Sequence, residues 1–510
     1  MACAVAPARR PAGGMARTVS PSFAHPLDVT AIYLALVDAD RSPAGDRVAQ
    51  LTRRTLIGAA AGTVATAAIG RLPAWARPSG GWRQIARAAG LRTPDSRPFP
   101  HLAPGHESMP QIQHIVVLIM ENHSFDNLLG MVPALVRGRR HVDGLTLRRG
   151  RPVNSNPDAQ GGRVTATAAL SPCQLDGEPT QTWNASHEAW DGGRNDGFVR
   201  ASGPVAMRFW DQRDLPFTYS LVRHFPIGQR YFCSVLGQTW PNLRFFFCGT
   251  SSGLVDDSSQ TFSTPAANGT IFDRLDEQRI SWRVYYEDAF SPAIVPGFYT
   301  PARRDRVLTI PSFYRDAAAG RLPQFSYVCP NFRTTSQENP QDIQLGERFI
   351  ARVVHALMRA STWRSTALLL TWDEHGGYYD HVPPPPAIRP DSISPIQFPD
   401  QPPLAPGGFD RYGFRVPLIV VSPWARSDYV SSVVQDHTSL AAFIERKWNL
   451  PAMTFRDANA HPMTDYFDFS RPTFERPPAL SAMPALSRGL AECRAQGLTP
   501  PLSEPGSYSD

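Results

Sequence analysis

A run of nine residues, IQHIVVLIM at positions 112–120, most limits what this chain can fold into. Its dense β-branched and apolar side chains are typical of a strand that is buried on both faces. Residues 365–372 and 414–424 have the same character, and residues 281–288 alternate like a flanking strand. Residues 343–360 carry apolar side chains at helical spacing. Buried strands separated by helices predict a doubly wound α/β fold with a mostly parallel central sheet.

The length of 510 residues favours either one large domain with insertions or two domains. We predict a single catalytic domain over residues 108–470. Two stretches within it, at about 135–230 and 383–412, are rich in proline, glycine and polar residues. These stretches are interpreted as insertions that form a cap over the site. Residues 471–510 are proline-rich and predict a tail that runs over the surface.

The N-terminal region predicts export. Residues 1–50 lack sustained periodicity, which indicates a disordered extension. In residues 51–76, paired arginines precede an apolar run, and AWA ends the segment as a small-x-small cleavage site. The run is too short to span a membrane, and the order of these features is typical of a twin-arginine export signal. An ordinary alanine-rich helix is the alternative, whereas export would place the protein outside the cell or in the envelope.

The charge of the chain argues against a nucleic-acid partner. The formal net charge is +6, and Lys447 is the only lysine. A nucleic-acid footprint requires basic residues that cluster on one face. Dense basic runs occur only at 138–141 and 147–151 outside the N-terminal region. We interpret them as solvated loops, with a transient membrane-surface contact as the alternative.

Acidic and polar residues follow two of the predicted strands. Glu121 and Asn122 come after the first strand, and Asp373 and Glu374 come after the run at 365–372. Ligands of parallel sheets bind beyond the carboxyl ends of the strands. Two carboxylates about 4 Å apart repel by roughly 4 kcal/mol at an effective dielectric near 20, which predicts a cation between them. Oxygen ligands suit one divalent Mg, Ca or Mn ion and tolerate Zn, whereas helix capping or arginine pairing is the alternative.

The stretch GQTWPNLRFFFCG, residues 237–249, predicts a helix with a reactive hydroxyl at its start. Thr239 has the signature of an N-cap, Pro241 suits the first turn, and Gly249 ends the helix. A hydroxyl at the positive end of the helix dipole becomes a nucleophile if a metal also contacts it. Capping alone is the simpler interpretation of Thr239.

Four histidines are candidates for phosphoryl chemistry. Phosphoryl transfer requires donors around three oxygens and a proton for the leaving group. We assign catalytic roles to His187 and His381, and weaker phosphate-binding roles to His375 and His437. A structural role is the alternative for each of them.

Five stretches carry a resemblance to a known family: IVVLIMENHSFDNLLG, TWPN, LLLTWDEHGGYYDHVPPPP, RVPLIVVSPWAR and DHTSLAAFIE. Over residues 112–470 the chain resembles the bacterial phosphoesterase family that contains exported phospholipases C and acid phosphatases. The resemblance implies an alkaline-phosphatase-like sandwich that hydrolyses phosphate esters through a covalent phospho-enzyme. It also implies roles for individual residues. The matched positions are Glu121, Asn122, Asp373 and Glu374 for metal ligands, Thr239 for a metal-bound nucleophile, and His187 for a phosphate contact.

Two positions depart from the family pattern. Leu243 stands where an arginine is common, and Arg244 follows one position later. Asn339 precedes Pro340 where the family usually has a His-Pro pair. We keep Asn339 as a weaker substrate-binding candidate because an asparagine donates a hydrogen bond but no proton.

The resulting prediction is metal-dependent hydrolysis of phosphate esters through a phospho-threonine. A phospholipase C that acts on glycerophospholipids is favoured, because aromatic stretches such as WNASHEAW and YYEDAF suit a choline-like or acyl group. An acid phosphatase that acts on small phosphomonoesters is the alternative. An exported binding protein without turnover stays open because of Asn339.

Overall fold

The computed structural model describes residues 90–174, 179–339, 341–399 and 401–483 of the chain. The predicted extension (1–50) and export signal (51–76) lie outside these residues, as does the predicted tail beyond residue 483. Within the described ranges, no helix combines the length and the apolar character that a membrane span requires.

One eight-stranded sheet organises the fold. Its strands are β1 (His114–Met120), β2 (Ile227–Gly228), β3 (Trp282–Tyr286), β4 (Val307–Thr309), β5 (Phe325–Cys329), β6 (Thr366–Trp372), β7 (Leu418–Val421) and β8 (Val430–Ser431). Their order is β4-β3-β5-β1-β6-β7-β2-β8. All pairs are parallel except β6 with β7 and β7 with β2. The predicted mixed α/β fold with a large, mainly parallel sheet is confirmed.

Strands β1 and β6 lie side by side at the centre of the sheet, and their ends are in register. Met120 at the end of β1 pairs with Trp372 at the end of β6. The Asp373 N–H then donates to the Met120 carbonyl over 2.9 Å. Every residue of β6 is buried, as are all residues of β1 except His114. This register brings the residues that follow the two strands to the same point of the sheet edge.

The strand that was predicted over 414–424 is shorter than expected, and it runs opposite to the parallel strands of the sheet centre. Only Leu418–Val421 forms a strand, and it runs antiparallel to β6. Pro417 and Pro423 flank it, and prolines have no N–H to donate to a neighbouring strand. The flanking strand that was predicted over 281–288 forms over Trp282–Tyr286. It lies inside the sheet rather than at its edge, because β3 pairs with β4 on one side and β5 on the other.

Eleven α-helices surround the sheet in the described part of the chain. They are α1 (Phe125–Leu129), α2 (Val132–Leu135), α3 (Trp183–Trp190), α4 (Phe198–Ser202), α5 (Pro216–His224), α6 (Thr239–Cys248), α7 (Ile271–Glu277), α8 (Ile310–Ala318), α9 (Ile343–Arg359), α10 (His437–Trp448) and α11 (Phe455–Asn459). Helix α9 agrees with the helical spacing in the sequence, and it packs against α5 and α8. A second group of packed helices consists of α6, α7, α10 and α11. Helix α6 packs against α7 and α10, and α10 packs against α11.

The predicted insertion at 135–230 contains small elements and one strand of the central sheet. Three two-stranded pieces form there: Leu147–Arg148 with Arg151–Pro152, Ser155–Pro157 with Arg163–Thr165, and Thr167–Ala168 with Arg208–Phe209. The stretch also includes α3, α4 and α5. Because its last residues form β2, the end of this stretch belongs to the central sheet. The cap function of both stretches stays a prediction.

Candidate active site

The ends of β1 and β6 carry four buried polar side chains, Glu121, Asn122, Asp373 and Glu374. Asn122 has a left-handed backbone conformation with φ of 61°, which an asparagine adopts more readily than most residues. Its N–H donates to Asp373 Oδ1 over 2.9 Å and ties the two strand ends together. The predicted convergence of these four residues is therefore present in the structure.

One atom of the Asn122 side-chain amide lies at the centre of this group. It is 3.0 Å from Glu374 Oε1, 3.0 and 3.1 Å from the two oxygens of Asp373, and 3.1 Å from Glu121 Oε2. Thr239 Oγ1 is 3.2 Å from the same atom. We call the side chains of these five residues the oxygen cluster.

Thr239 reaches the oxygen cluster from the start of α6. Its Oγ1 lies 3.2 Å from Glu121 Oε2 and 3.2 Å from Asn122 Oδ1. The N-cap prediction is wrong by one residue, since the extended Gln238 is the N-cap and Thr239 is the first helical residue. Its hydroxyl is therefore turned towards the acids rather than towards the helix backbone. The predicted helix end at Gly249 is confirmed by a left-handed φ of 71°.

The three acids of the oxygen cluster are all buried, and none of them has an arginine or lysine partner among the described residues. Burial, followed by the charge of Asp373, raises the pKa of Glu121 and of Glu374 well above the usual range. Burial also raises the pKa of Asp373 to about 6, although the Asn122 N–H opposes this shift. The three acids can therefore all be ionised together only if a cation binds between them. Three carboxylates, an amide oxygen and a hydroxyl form a donor set that fits a hard divalent cation.

Two further acids lie beside the oxygen cluster, and our sequence analysis missed both. Asp257 accepts the Trp240 N–H over 2.7 Å, and burial raises its pKa to about 8. Glu338 Oε1 lies 3.3 Å from Asn122 Nδ2. Asp257 sits in a loop with no periodic pattern, whereas Glu338 adjoins Asn339, a position that the family comparison had already singled out.

His437 and His375 support the oxygen cluster from behind. His437 Nε2 lies 2.5 Å from the Asp373 carbonyl, and its Nδ1 is 3.0 Å from the Tyr231 hydroxyl. His375 Nδ1 lies 3.0 Å from Glu374 Oε2, yet neither ring nitrogen forms a hydrogen bond of normal geometry. Burial lowers the pKa of His375 to about 3, so this ring is neutral. The predicted phosphate-binding roles of both histidines stay predictions.

His187, Asn339 and Arg244 form no contacts with the oxygen cluster in the described part of the chain. His187 Nδ1 lies 2.8 Å from the Trp183 carbonyl, and burial lowers the pKa of its ring. Asn339 Oδ1 accepts from the Tyr378 hydroxyl over 2.8 Å, while its Nδ2 is buried and has no hydrogen-bond partner among the described residues. Arg244 donates to backbone carbonyls, including that of Thr264 over 2.9 Å. The catalytic role of His187 and the substrate contact of Asn339 stay predictions.

His381 belongs to a separate charged group. Its Nδ1 lies 2.7 Å from Asp126 Oδ2, and its Nε2 lies 3.1 Å from Asp143 Oδ1. The buried Arg415 completes the group, with Nε 2.8 Å from Asp380 Oδ1 and Nη2 3.2 Å from Asp126 Oδ1. Asp126, Asp380 and His381 are close enough to hold a metal ion, but the Arg415 guanidinium and the protonated His381 ring together already balance the two aspartates. His381 makes no contact with the oxygen cluster in the described residues, and its catalytic role stays a prediction.

The charged state of His381 makes the stability of the protein depend on pH. Burial disfavours the imidazolium, but Asp126 and Asp143 outweigh burial and raise the pKa of His381 to about 10. A raised folded-state pKa stabilises the fold fully below the unfolded value near 6.5, and the effect is lost as the pH rises to about 10. We expect His381→Gln to remove about 2 kcal/mol of stability at pH 6 and much less at pH 10, measured by urea denaturation.

A matched control is His355→Gln. Burial lowers the pKa of His355, and Arg359 lowers it further, so the change in stability caused by His355→Gln should be about the same at pH 6 and at pH 10. Equal destabilisation by His381→Gln at both pH values would contradict the ion-pair interpretation.

A Gly-Gly turn holds Asp373 and Glu374 in place. Gly376 and Gly377 have φ values of 64° and 77°, and a Cβ at Gly376 would lie 2.0 Å from the Asn122 carbonyl oxygen. The Gly376 N–H also donates to Glu374 Oε2 over 2.9 Å. Only glycine combines this backbone conformation with such a close approach to Asn122.

The mainly parallel sheet, with the oxygen cluster at the carboxyl edge of its strands, defines the class as a mixed α/β protein with a candidate cation site. Residues 112–451 match the model that describes the phosphoesterase family. This chain therefore belongs to the phosphoesterase family, which confirms the resemblance of its five stretches.

Relatives of known name agree with this assignment. The non-hemolytic phospholipase C of Pseudomonas aeruginosa is 28% identical, over 87% of this chain and 71% of that protein. The non-specific phospholipase C1 of Arabidopsis thaliana is 30% identical, over 71% of this chain and 72% of that protein. The phospholipase C A of Mycobacterium tuberculosis is 31% identical, over 75% of this chain and 83% of that protein.

The solved structures that match this chain are more distant. A protein in the alkaline phosphatase superfamily from Vibrio parahaemolyticus has a TM-score of 0.35 and 10% identity, and covers 73% of this chain and 72% of its own. The lipoteichoic acid synthase LtaP from Listeria monocytogenes has a TM-score of 0.33 and 8% identity, over 74% of this chain and 82% of its own.

Proposed function

We propose that the protein is a phospholipase C that hydrolyses glycerophospholipids through a phospho-threonine at Thr239. The observation that carries this proposal is the position of the Thr239 hydroxyl, 3.2 Å from Glu121 Oε2 inside the oxygen cluster. The names of the relatives support the choice of phospholipid among phosphate esters.

The oxygen cluster would hold one divalent cation. When bound, the cation would lower the pKa of the Thr239 hydroxyl and offset the negative charge that develops on the phosphoryl oxygens. Its identity among Ca, Mg, Mn and Zn is left to measurement. We assign it to the oxygen cluster rather than to the His381 group, because Arg415 and the protonated His381 ring already balance the two aspartates there.

In the first step, Thr239 Oγ attacks phosphorus and the bond from phosphorus to the diacylglycerol oxygen breaks. The Thr239 proton passes to a carboxylate oxygen, for which Glu121 Oε2 is in position. The leaving oxygen takes up a proton, and His187 is retained as the proposed donor because the His381 ring is bonded to two aspartates. In the second step, water attacks phosphorus, the Oγ–P bond breaks, Thr239 regains a proton and the phosphorylated headgroup leaves.

Aromatic side chains pack next to the segment that leads to Thr239. A Cβ added at Gly237 would lie 3.9 Å from Trp183 Cε3, so helix α3 packs beside the segment that leads to Thr239. Trp183, His187 and Trp190 form a run of ring contacts along this helix. Trp183 is buried against His187 and Phe409, and Arg411 lies over the Trp190 ring. The choice of a phospholipid substrate therefore rests on the names of the relatives rather than on these rings.

The substrate prediction is tested by comparing two chromogenic esters, p-nitrophenyl phosphocholine and p-nitrophenyl phosphate, with and without a chelator. We expect faster hydrolysis of the phosphocholine ester, and a loss of at least about 100-fold in rate after chelation. Restoration of the rate by a single added divalent cation would identify the metal.

The other outcomes separate the alternatives. Faster hydrolysis of the phosphomonoester would favour an acid phosphatase, whereas an unchanged rate after chelation would contradict the metal site. Hydrolysis of neither ester, nor of phosphatidylcholine vesicles, would favour a binding protein that keeps the fold without turnover.

A further inference from the structure

The two ends of the Asn122 side-chain amide face opposite surroundings. The inner end lies 3.0 to 3.2 Å from the oxygens of the other oxygen-cluster residues. The outer end, Nδ2, lies 3.3 Å from Glu338 Oε1. Rotation of the amide by half a turn would exchange its oxygen and nitrogen, and side-chain amide torsions permit both states.

The backbone of Asn122 is fixed by its neighbours, so rotation of the side-chain amide is the main movement that remains. The Asn122 N–H is bonded to Asp373 Oδ1, and the Glu121 N–H donates to the Ser336 carbonyl over 2.9 Å. The Asn122 carbonyl lies against Gly376, where a Cβ would come within 2.0 Å of it. The structure therefore fixes where the amide lies, and the neighbours of its two ends decide which atom points inward.

Those neighbours favour different states with and without a cation. With Nδ2 inward, the amide donates to the carboxylates of the cluster, but its oxygen then faces the Glu338 carboxylate with no proton between the two acceptors. With Oδ1 inward, the amide is a metal ligand and Nδ2 donates to Glu338. Glu338 thus favours the orientation in which Asn122 Oδ1 points inward and can bind a cation.

Glu338 is held in place by backbone contacts to its own loop and to Gln174. Its carbonyl accepts from Gln174 Nε2 over 3.3 Å, and its N–H donates to Ser336 Oγ over 3.3 Å. The neighbouring Gln337 accepts at its carbonyl from the same Gln174 amide over 2.6 Å, and at its side chain from Trp372 Nε1 over 2.9 Å. The loop is therefore bonded to the end of β6, close to the cluster that Glu338 faces.

We propose that Glu338 is a positioning residue that keeps Asn122 Oδ1 turned towards the bound cation and so increases the affinity of the site for metal. The inference rests on the proposed metal site. It assigns Glu338 a hydrogen-bonding role through Asn122 rather than a general contribution of negative charge.

The test is a calorimetric titration of the chelator-treated full chain with Mn²⁺ and, separately, with Ca²⁺. We expect Glu338→Ala to raise the dissociation constant about 10- to 100-fold, the usual effect of removing a group that orients a ligand. Glu338→Gln keeps an oxygen that accepts from Asn122 Nδ2, so its dissociation constant should stay within about threefold of wild type. Glu277→Ala removes an exposed acid that pairs with Arg274 and is the matched control.

The two Glu338 variants distinguish the possible outcomes. Equal weakening by alanine and glutamine would show that charge alone acts, and would overturn the inference. Wild-type affinity in Glu338→Ala, with an unchanged melting temperature of the metal-free protein, would overturn it as well. If the wild type binds neither ion, the proposed metal site itself fails, which is a different result from failure of the positioning role.

Discussion

Thr239→Ala is expected to reduce phosphate ester hydrolysis by about 10⁴-fold or more, because it removes the atom that attacks phosphorus. Thr239 Oγ1 lies within 3.2 Å of two oxygen-cluster side chains, and no other hydroxyl of the described residues has that position. Single-turnover measurements on p-nitrophenyl phosphocholine would give the rate directly. The wild-type enzyme should also show a burst of nitrophenol if hydrolysis of the phospho-enzyme by water is slower than its formation.

The matched variant is Thr239→Ser, which keeps the hydroxyl and should retain activity within about tenfold. Because Gln238, not Thr239, is the N-cap of α6, neither variant removes a capping side chain. Their melting temperatures should therefore be similar, and a difference in rate reports chemistry rather than folding. A Thr239→Ala enzyme with the wild-type rate would show that the nucleophile is another group.

Asp373→Asn is expected to have opposite effects on activity and on the stability of the metal-free protein. Activity should fall by about 10³-fold, because a charged ligand of the proposed cation is lost. The free energy of unfolding after chelation should rise by about 1 to 2 kcal/mol at pH 7, since a buried carboxylate, whose pKa burial raises to about 6, is replaced by a neutral amide. The asparagine still presents an oxygen to the Asn122 N–H, which Asp373 now accepts over 2.9 Å.

The control for Asp373→Asn is Asp316→Asn. Asp316 is also a buried aspartate, but Arg283 pairs with it over 2.5 Å, so its neutralisation should destabilise the protein. Urea denaturation of both variants in chelator provides the measurement. A loss of stability in metal-free Asp373→Asn, comparable with that of Asp316→Asn, would contradict the interpretation of the cluster as excess negative charge.

The sequence alone predicted the parts of the site that depend on short-range pattern. The strand over residues 112–120 and the strand over residues 365–372 are visible as uninterrupted apolar runs, and the carboxyl ends of parallel strands meet at one edge. Glu121 and Asp373 therefore had to lie near each other if the two strands were neighbours. The Gly-Gly turn after Glu374 and the helix end at Gly249 also follow from local backbone preferences.

The partners of these residues depend on contacts that no local pattern records. Asn122 and Glu338 are 216 residues apart and meet because a loop is bonded to the end of β6. Arg415 and Asp126 are 289 residues apart, and their pairing draws His381 into a separate charged group. A histidine in a sequence carries no sign of the carboxylate that will face it. The predicted catalytic role of His381 was therefore open until the fold placed its neighbours.

What the sequence by itself determined is the fold class, the family and the residue types that crowd one edge of the sheet, because apolar periodicity and strand-end positions are local properties. The tertiary structure alone decided the antiparallel course of β7, the direction of the Thr239 hydroxyl and the two opposed neighbours of the Asn122 amide. These features arise where distant segments pack and compete for the same hydrogen bonds, so they are settled by the sum of many contacts.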